Sequence, residues 1–241
     1  MRIAVVSDIH GNLTALEAVI ADLRGVGADL IVHGGDLVGS GSRPAEVIDR
    51  IRDLKWPGVA GNTDEMLWAP ERLTVVLKSP QLHALRDVLL NEIVPATIAA
   101  IGQTRLDWLR ALPMKWSSDG VTVVHASPEN LWRAPMADAS NEELERTYGQ
   151  LGGRAAVYGH IHRSYVRRLP TMSIANSGSV SLSYDGDPRA SYAVIDDGVV
   201  VIRRVAYDVE EEVGRLVKEG YPQAEWLARI LRTGSYTAPP V

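Results

Sequence analysis

Seven residues able to bind a metal ion stand in short motifs along this chain. They are two aspartates, one asparagine and four of the six histidines, namely Asp8, His10, Asp36, Asn62, His125, His160 and His162. Imidazole, carboxylate and amide oxygen together favour Mn, Fe, Zn, Co or Ni over Ca or Mg, and the absence of cysteine argues against a thiolate zinc cage or an iron–sulfur cluster. Seven ligands can serve two ions if one carboxylate, naturally that of Asp36, bridges them. The set therefore predicts a two-metal catalytic site with positions open for water and substrate oxygens.

Each ligand group follows or adjoins a short apolar run that predicts a β-strand. These runs are residues 3–6, 30–32, 58–60, 121–124 and 155–158. Side chains converge at the carboxyl ends of strands in α/β proteins, which would bring these distant motifs into one crevice. Taken alone, an aspartate after a strand is more often a helix cap, and Gly-Asn is often a plain turn. The metal-binding interpretation depends on all the motifs occurring together.

The motifs, taken in order, resemble those of the calcineurin-like metallophosphoesterases. They read Asp8-Ile9-His10, Gly35-Asp36, Gly61-Asn62, His125 and Gly159-His160-Ile161-His162. The resemblance covers about residues 1–64 and 121–207. Residues 7–12 and 185–192 look most like the small prokaryotic phosphodiesterases and relatives of diadenosine tetraphosphatase.

The resemblance implies an α/β fold in which two facing mixed β-sheets are flanked by helices in a four-layer α/β/β/α sandwich. One ion would be held by Asp8, His10, Asp36 and His162, and the other by Asp36, Asn62, His125 and His160. The implied reaction is hydrolysis of a phosphoester by in-line attack of a metal-activated hydroxide, with Asp36, Asn62 and His125 as catalytic residues. A phosphodiesterase is expected. Alternatives are a phosphomonoesterase, a dinucleoside-polyphosphate hydrolase or, in another class, a non-catalytic metal-binding interaction module.

One position departs from the family pattern. Many members carry a histidine after the metal-binding asparagine, where it is thought to protonate the leaving group, whereas this chain has Thr63 after Asn62. A threonine hydroxyl cannot act as that acid. We therefore expect the enzyme to favour esters with good leaving groups.

The chain is expected to form a single domain, residues 1–241, with a helical cap inserted at about residues 67–112. Helices are predicted there at 82–90, 93–101 and 104–112, with breaks near Pro80, Pro95 and Pro113. Because the insertion follows Asn62, it should overhang the metal crevice and restrict which substrates enter. Further predictions are a hairpin at Asp197-Gly198 and closing helices at 210–218 and 223–231.

The amino-acid composition limits the classes of molecule that this protein is expected to bind. The net charge of -5 comes from mixed signs, which leaves no basic footprint for a nucleic-acid scaffold and favours a small phosphoester or nucleotide substrate. The apolar start at 3–6 is too short for a signal peptide or a membrane span, so a cytoplasmic location without a membrane partner is expected.

Several polar and aromatic residues near the motifs could contact substrate. Asn12, Arg133 and Arg189 are the chosen candidates, since the arginine fork suits phosphate. The tryptophans Trp68, Trp108 and Trp132 could stack on a base, although packing is the more common role for such residues. His33 is expected to be a core histidine or one that orients a metal ligand.

Overall fold

The computed structural model describes residues 1–240, and within them nine strands form two sheets that face each other. The strands are β1 (Arg2–Val6), β2 (Leu30–His33), β3 (Lys115–Ser118), β4 (Val121–Val124), β5 (Ala155–Tyr158), β6 (Tyr165–Arg168), β7 (Ser173–Asn176), β8 (Ala190–Asp196) and β9 (Val199–Val205). The first sheet has the order β2-β1-β8-β9 and the second β3-β4-β5-β7-β6. Both are mixed: β1 runs parallel to β2 and antiparallel to β8, while β5 runs parallel to β4 and β7, and β3 and β6 are antiparallel edges.

Helices cover the outer faces of the two sheets. They are α1 (Leu13–Val26), α2 (Pro44–Asp53), α3 (Asn62–Glu65), α4 (Glu71–Val76), α5 (His83–Val88), α6 (Val94–Arg110), α7 (Asn141–Tyr148), α8 (Val209–Lys218) and α9 (Ala224–Thr233). No helix within residues 1–240 is long and apolar enough to cross a membrane.

The alternation of side chains along β1 shows how the layers are built. Ile3 and Val5 pack between the two sheets, whereas Ala4 and Val6 join the core beneath the helices. Successive residues of a strand point to opposite faces, so one apolar strand serves two cores. On the far side of the second sheet, α7 packs against β5. The predicted four-layer sandwich is thereby confirmed.

The predicted hairpin joins β8 and β9. Asp197 and Gly198 form its turn with φ of 47° and 77°, the backbone that a two-residue hairpin requires and that aspartate and glycine readily adopt. The closing helices α8 and α9 lie within one or two residues of the predicted ranges.

Two sequence predictions need correction. Residues 58–60 do not form a strand of their own: Gly58 makes a single bridge to His33, after which the Ala60 amide turns away and donates to Pro113. Pro95 does not break the helical insertion, because a π-helical turn, Leu89–Ile93, precedes it and places it in the first turn of α6. The helical backbone is interrupted at Gly102, with φ of 69° and ψ of 170°, between the predicted helices 93–101 and 104–112.

Candidate metal centre

The structure brings all seven predicted ligands together at one edge of the facing sheets. Asp8 and His10 follow β1, Asp36 follows β2, His125 follows β4, His160 and His162 follow β5, and Asn62 begins α3. Each strand ends at the same edge, as expected for ligands in α/β proteins. The seven side chains divide into two groups that meet at Asp36.

The first group contains Asp8, His10, Asp36 and His162. One ligand atom from each residue lies within 4.8 Å of the others, and all four residues are buried. The Nε2 atoms of His10 and His162 are 3.1 Å apart, and a carboxylate oxygen of Asp8 lies 3.1 Å from Nε2 of His162.

The protonation of the two imidazoles shows what this group is suited to hold. Nδ1 of His10 donates to the Gly39 carbonyl at 2.9 Å, and Nδ1 of His162 donates to the Leu182 carbonyl. A neutral imidazole with its proton on Nδ1 carries a lone pair on Nε2. Burial lowers the pKa of His10, which favours this neutral form. In this form, the Nε2 lone pairs of the two histidines and the carboxylates of Asp8 and Asp36 face one another. These electron-rich groups repel one another unless a cation lies among them.

The second group contains Asn62, His125 and His160. The side-chain oxygen of Asn62 lies 2.8 Å from Nε2 of His125 and 2.7 Å from Nδ1 of His160. Nδ1 of His125 donates to the Gly34 carbonyl at 2.9 Å, so Nε2 carries a lone pair in the neutral ring. Burial opposes the charged form of His125, but attraction by the carboxylates of Asp36 and Asp8 outweighs it and raises the pKa of this ring, so a cation bound here would have to displace a proton. Burial and repulsion by His125 lower the pKa of His160 to about 4, so this ring is neutral at pH 7 and able to bind a metal.

Asp36 stands between the two groups. One carboxylate oxygen lies 3.7 Å from Nε2 of His10 and the other 3.4 Å from Nε2 of His125. The amide of Thr63 donates to the second oxygen at 2.8 Å, which fixes the plane of the carboxylate. Each oxygen thus faces a different set of ligands, the arrangement expected of a bridging carboxylate.

Most of these ligands sit on an uncommon backbone. Residues other than glycine rarely adopt positive φ. Here five ligands do so: Asp8 at 58°, His10 at 52°, Asp36 at 51°, His160 at 66° and His162 at 54°. Hydrogen bonds between the loops hold this geometry, including those from the His10 amide to the Asp36 carbonyl at 2.9 Å and from the His160 amide to the Asp8 carboxylate at 3.1 Å.

Asp64 is a buried carboxylate that the sequence analysis did not select. Its oxygens accept the amides of Leu37 at 3.0 Å, Val38 at 3.3 Å and Gly61 at 3.0 Å, which join the loop of Asp36 to that of Asn62. Burial and repulsion by Asp36 raise its pKa to about 7. The signal was present, since an acidic residue three positions after Gly61 matches a capping pattern.

Ser179 is a second positioning residue missed from the sequence. Its hydroxyl donates to the Asp8 carbonyl at 2.8 Å and accepts the amides of Ser181 at 3.1 Å and Leu182 at 2.9 Å. Leu182 in turn supplies the carbonyl that orients His162.

A cavity lies above the metal ligands, and none of the residues chosen as substrate contacts lines it. Asn12 is buried, where it accepts the Ala15 amide as the cap of α1 and donates to Ser181. Arg189 pairs with Asp187 at 2.6 Å on an exposed turn. Arg133 lines a separate, adjoining pocket. Their contact with substrate stays a prediction.

The remaining candidates have varied surroundings. His33 is fully buried with neither ring nitrogen hydrogen-bonded, and burial lowers its pKa to about 3. Trp68 and Trp108 pack against the core beneath the helices, whereas Trp132 lines the cavity. The Thr63 hydroxyl donates to the Val38 carbonyl at 2.9 Å.

A cavity of about 430 Å³ opens above the ligands. The ligands His10, Asp36, Asn62, His160 and His162 form its floor. The upper wall comes from the insertion and consists of Val76, Leu77, Leu82, Leu85 and Leu89. Opposite lie residues of the last third of the chain, Leu182, Tyr184, Trp226, Ile230 and Tyr236.

Comparison with known proteins agrees with this geometry. The calcineurin-like phosphoesterase superfamily domain matches residues 1–197. An uncharacterized protein of Methanocaldococcus jannaschii, MJ0912, is 31% identical over 96% of this chain and 98% of its own length. The phosphodiesterase YfcE of Escherichia coli is 26% identical over 84% of this chain and 91% of its own. The crystal structure of a metallophosphoesterase from Sphaerobacter thermophilus superposes with a TM-score of 0.78 at 28% identity, covering 97% of this chain and 99% of that one.

Proposed function

Because the chain belongs to the calcineurin-like phosphoesterase superfamily, and is thus a metal-dependent phosphoester hydrolase, we propose that it is a two-metal phosphodiesterase. The observation that carries this proposal is the position of Asp36, whose two oxygens face two separate sets of nitrogen and oxygen ligands. The similarity to a phosphodiesterase over most of the chain supports the same substrate bond.

The ligand chemistry supports two divalent transition-metal ions, drawn from Mn, Fe, Zn, Co or Ni. Asp8, His10, Asp36 and His162 would hold one ion, and Asp36, Asn62, His125 and His160 the other. Bound there, the ions would activate water and stabilise charge on the phosphoryl oxygens. The protein's own contribution is to fix the ligands: backbone carbonyls set the tautomers of His10, His125 and His162, which leaves every Nε2 free to bind.

The floor of the cavity offers no acid for the leaving group at the position of Thr63. Its hydroxyl already donates to the Val38 carbonyl, and its amide donates to Asp36. The enzyme would then rely on the metals or on water for the departing oxygen. This supports a preference for esters whose leaving group is stable as an anion.

The test is metal content and hydrolysis measured on the same samples. Protein loaded with Mn should contain two ions per chain by elemental analysis and should hydrolyse bis(p-nitrophenyl) phosphate. Asp36→Asn should lose metal from both positions and lose more than ~100-fold in kcat, since even the outer partners of metal ligands are worth ~10- to 100-fold.

Asp197→Asn is the matched control, because Asp197 has a similar positive φ of 47° and lies on an exposed hairpin turn. It should keep both ions and full activity. One ion per chain in the natural protein, or an Asp36→Asn variant with two ions and full rate, would contradict the proposal. Two ions without hydrolysis of any ester would favour the alternative of a metal-binding interaction module.

For the substrate we propose only a chemical class, and for the cellular location only a compartment. A small phosphoester or nucleotide fits a site whose attraction for phosphate would come from metals in a chain of net charge -5. The cytoplasm remains the predicted location, to be checked by fractionation of cells.

A further inference from the structure

The cavity above the metal ligands is walled by aliphatic side chains. Val76, Leu77, Leu82, Leu85 and Leu89 are each partly exposed, and the space they face is this cavity. Its volume of about 430 Å³ falls in the range of small-molecule sites. Partly exposed leucines beside a polar floor form a site with one charged end and one apolar end.

Aromatic residues carry the apolar surface down to the floor. The ring of Tyr184 stacks on His162 with centroids 4.5 Å apart, and Tyr236 packs edge-on against Tyr184 at 5.4 Å. A substrate whose phosphate lies at His162 would therefore meet apolar surface immediately beyond it.

The cavity wall carries no cation. Within residues 1–240 its lining includes neither lysine nor arginine. Arg72 and Arg133 line the adjoining pocket, beyond Val76 and Trp132, which the two spaces share. A polyphosphate brings several further negative charges that need cationic partners, so this wall suits a substrate with one phosphate.

The upper wall of the cavity presents only aliphatic side chains within residues 1–240, so a base or a ribose lying against it would find no hydrogen-bonding partner there; beyond Thr63, the hydroxyls of the lining belong to Ser40, Tyr184 and Tyr236. The Thr63 hydroxyl is engaged with Val38, and the Trp132 indole N–H donates to Glu65 at 2.5 Å. A buried polar group without a partner is costly, which disfavours a nucleoside here.

We propose that this cavity binds an alkyl chain, so that the substrates are single-phosphate esters carrying an aliphatic group rather than nucleotides or polyphosphates. The inference rests on the proposed function for its reaction, but the apolar site can be measured without turnover. Each methylene buried contributes about 0.8 kcal/mol, or about fourfold in affinity.

The test is calorimetric titration of the Mn-loaded protein with methyl, butyl, hexyl and octyl phosphate. Affinity should rise by about fourfold per methylene until the cavity is filled, with an increasingly negative heat-capacity change. Affinity that does not depend on chain length, or tighter binding of diadenosine tetraphosphate than of octyl phosphate, would overturn the inference.

Neighbouring valines provide a matched pair of variants. Val76 lines the cavity, whereas Val75 is 66% exposed and outside it. Val76→Ser should weaken octyl phosphate by about fourfold or more and methyl phosphate much less, while Val75→Ser should match the natural protein. Leu85→Ser provides a second variant on another helix, and thermal melting checks that each one folds. Equal effects of Val75→Ser and Val76→Ser, with no effect of Leu85→Ser, would show that the alkyl group of the ligand binds outside this cavity.

Hydrolysis of p-nitrophenyl butyl and octyl phosphates separates this inference from the proposed function. Chain-length-dependent binding without hydrolysis of either ester would remove the phosphodiesterase proposal and leave the alkyl site standing. Hydrolysis of both esters at equal kcat/KM, with binding that does not depend on chain length, would support the phosphodiesterase proposal and remove the alkyl site.

Discussion

The floor of the cavity and its upper wall are held in place by different forces. On the floor, His10, His125 and His162 each donate through Nδ1 to a backbone carbonyl. In the wall, partly exposed aliphatic side chains such as Leu77, Leu85 and Leu89 pack against the core, on a chain that enters a π-helical turn at Leu89. Few side-chain hydrogen bonds tie the wall down, among them that from Gln223 to Glu92.

This contrast indicates how each region tolerates change. A hydrogen bond has a strict geometry, so a shift of an ångström on the floor separates a ligand from its partner. Apolar contacts tolerate exchange of side chains when volume is roughly kept. The floor is suited to define the reaction, and the wall to define the organic part of the substrate.

The largest expected effect tests whether the floor lacks an acid. Across a series of substituted phenyl phosphodiesters, kcat/KM should rise steeply as the pKa of the leaving phenol falls. General-acid assistance is worth ~100- to 10,000-fold, so Thr63→His should flatten the slope by raising the rates of the poorest leaving groups. A flat dependence in the natural protein would mean that another group, such as Tyr184 in the cavity, protonates the leaving oxygen.

Replacing Asp64 should loosen the loops that carry the metal ligands Asp36 and Asn62. Asp64→Ala leaves the amides of Leu37, Val38 and Gly61 without their acceptor, at about 1 to 3 kcal/mol for each buried group. We expect a loss of ~3 kcal/mol or more in the free energy of unfolding and a ~10- to 100-fold loss in kcat. Urea denaturation and steady-state kinetics give the two values. Asp64→Asn, which keeps one acceptor oxygen, should lie between; an Asp64→Ala protein as stable and active as the natural one would contradict this role.

Truncation of leucines compares the wall directly with the scaffold under the floor. Leu16 of α1 is fully buried, and Leu16→Ala should lower the free energy of unfolding by ~2 to 5 kcal/mol. Leu85→Ala should cost at most ~1 kcal/mol, because that side chain is only partly buried and borders the cavity. Chemical denaturation of both variants decides the point, and equal losses would show that the wall is packed as tightly as the core.

The smallest effect concerns acid stability and His33. Its pKa is lowered by burial from 6.5 to about 3, so the folded protein resists a proton that the unfolded chain accepts. The stability it contributes is present above pH 6.5 and is lost as the pH falls towards 3. Between pH 7 and pH 5 this amounts to about 2 kcal/mol.

His33→Leu should remove that part of the acid sensitivity. Urea denaturation of both proteins in chelator gives the change in the free energy of unfolding between pH 7 and pH 5. Comparing the two proteins isolates the contribution of His33, since the other histidines are common to both. An unchanged difference would show that His33 accepts a proton in the folded protein as readily as in the unfolded chain.

Sequence reasoning succeeded where chemistry is local. Asp8 with His10, and His160 with His162, are separated by two positions, so their shared site can be read from a short segment. The wall could not be read in this way, because Leu85, Trp226 and Tyr236 meet only through the tertiary fold.

The errors have the same physical origin. Pro95 remains within helical chain because the π-helical turn before it suits the packing of the insertion, a tertiary effect that proline alone does not reveal. Residues 58–60 have the composition of a strand, yet the Ala60 amide pairs with Pro113, which lies beyond the insertion. Asp64 was overlooked because the capping pattern with Gly61 reveals only one of its contacts, whereas its bonds to the amides of Leu37 and Val38 join segments that are distant in sequence.

The left-handed backbone of five ligands limits how this centre could be engineered into other proteins. A residue in such a conformation costs about 1 to 3 kcal/mol and persists only where the surrounding loops enforce it. Placing two aspartates, an asparagine and four histidines at the ends of strands in a foreign scaffold would reproduce the atoms but not the direction in which they point. Successful transfer would have to carry whole interlocking loops, including the contact from the His10 amide to the Asp36 carbonyl.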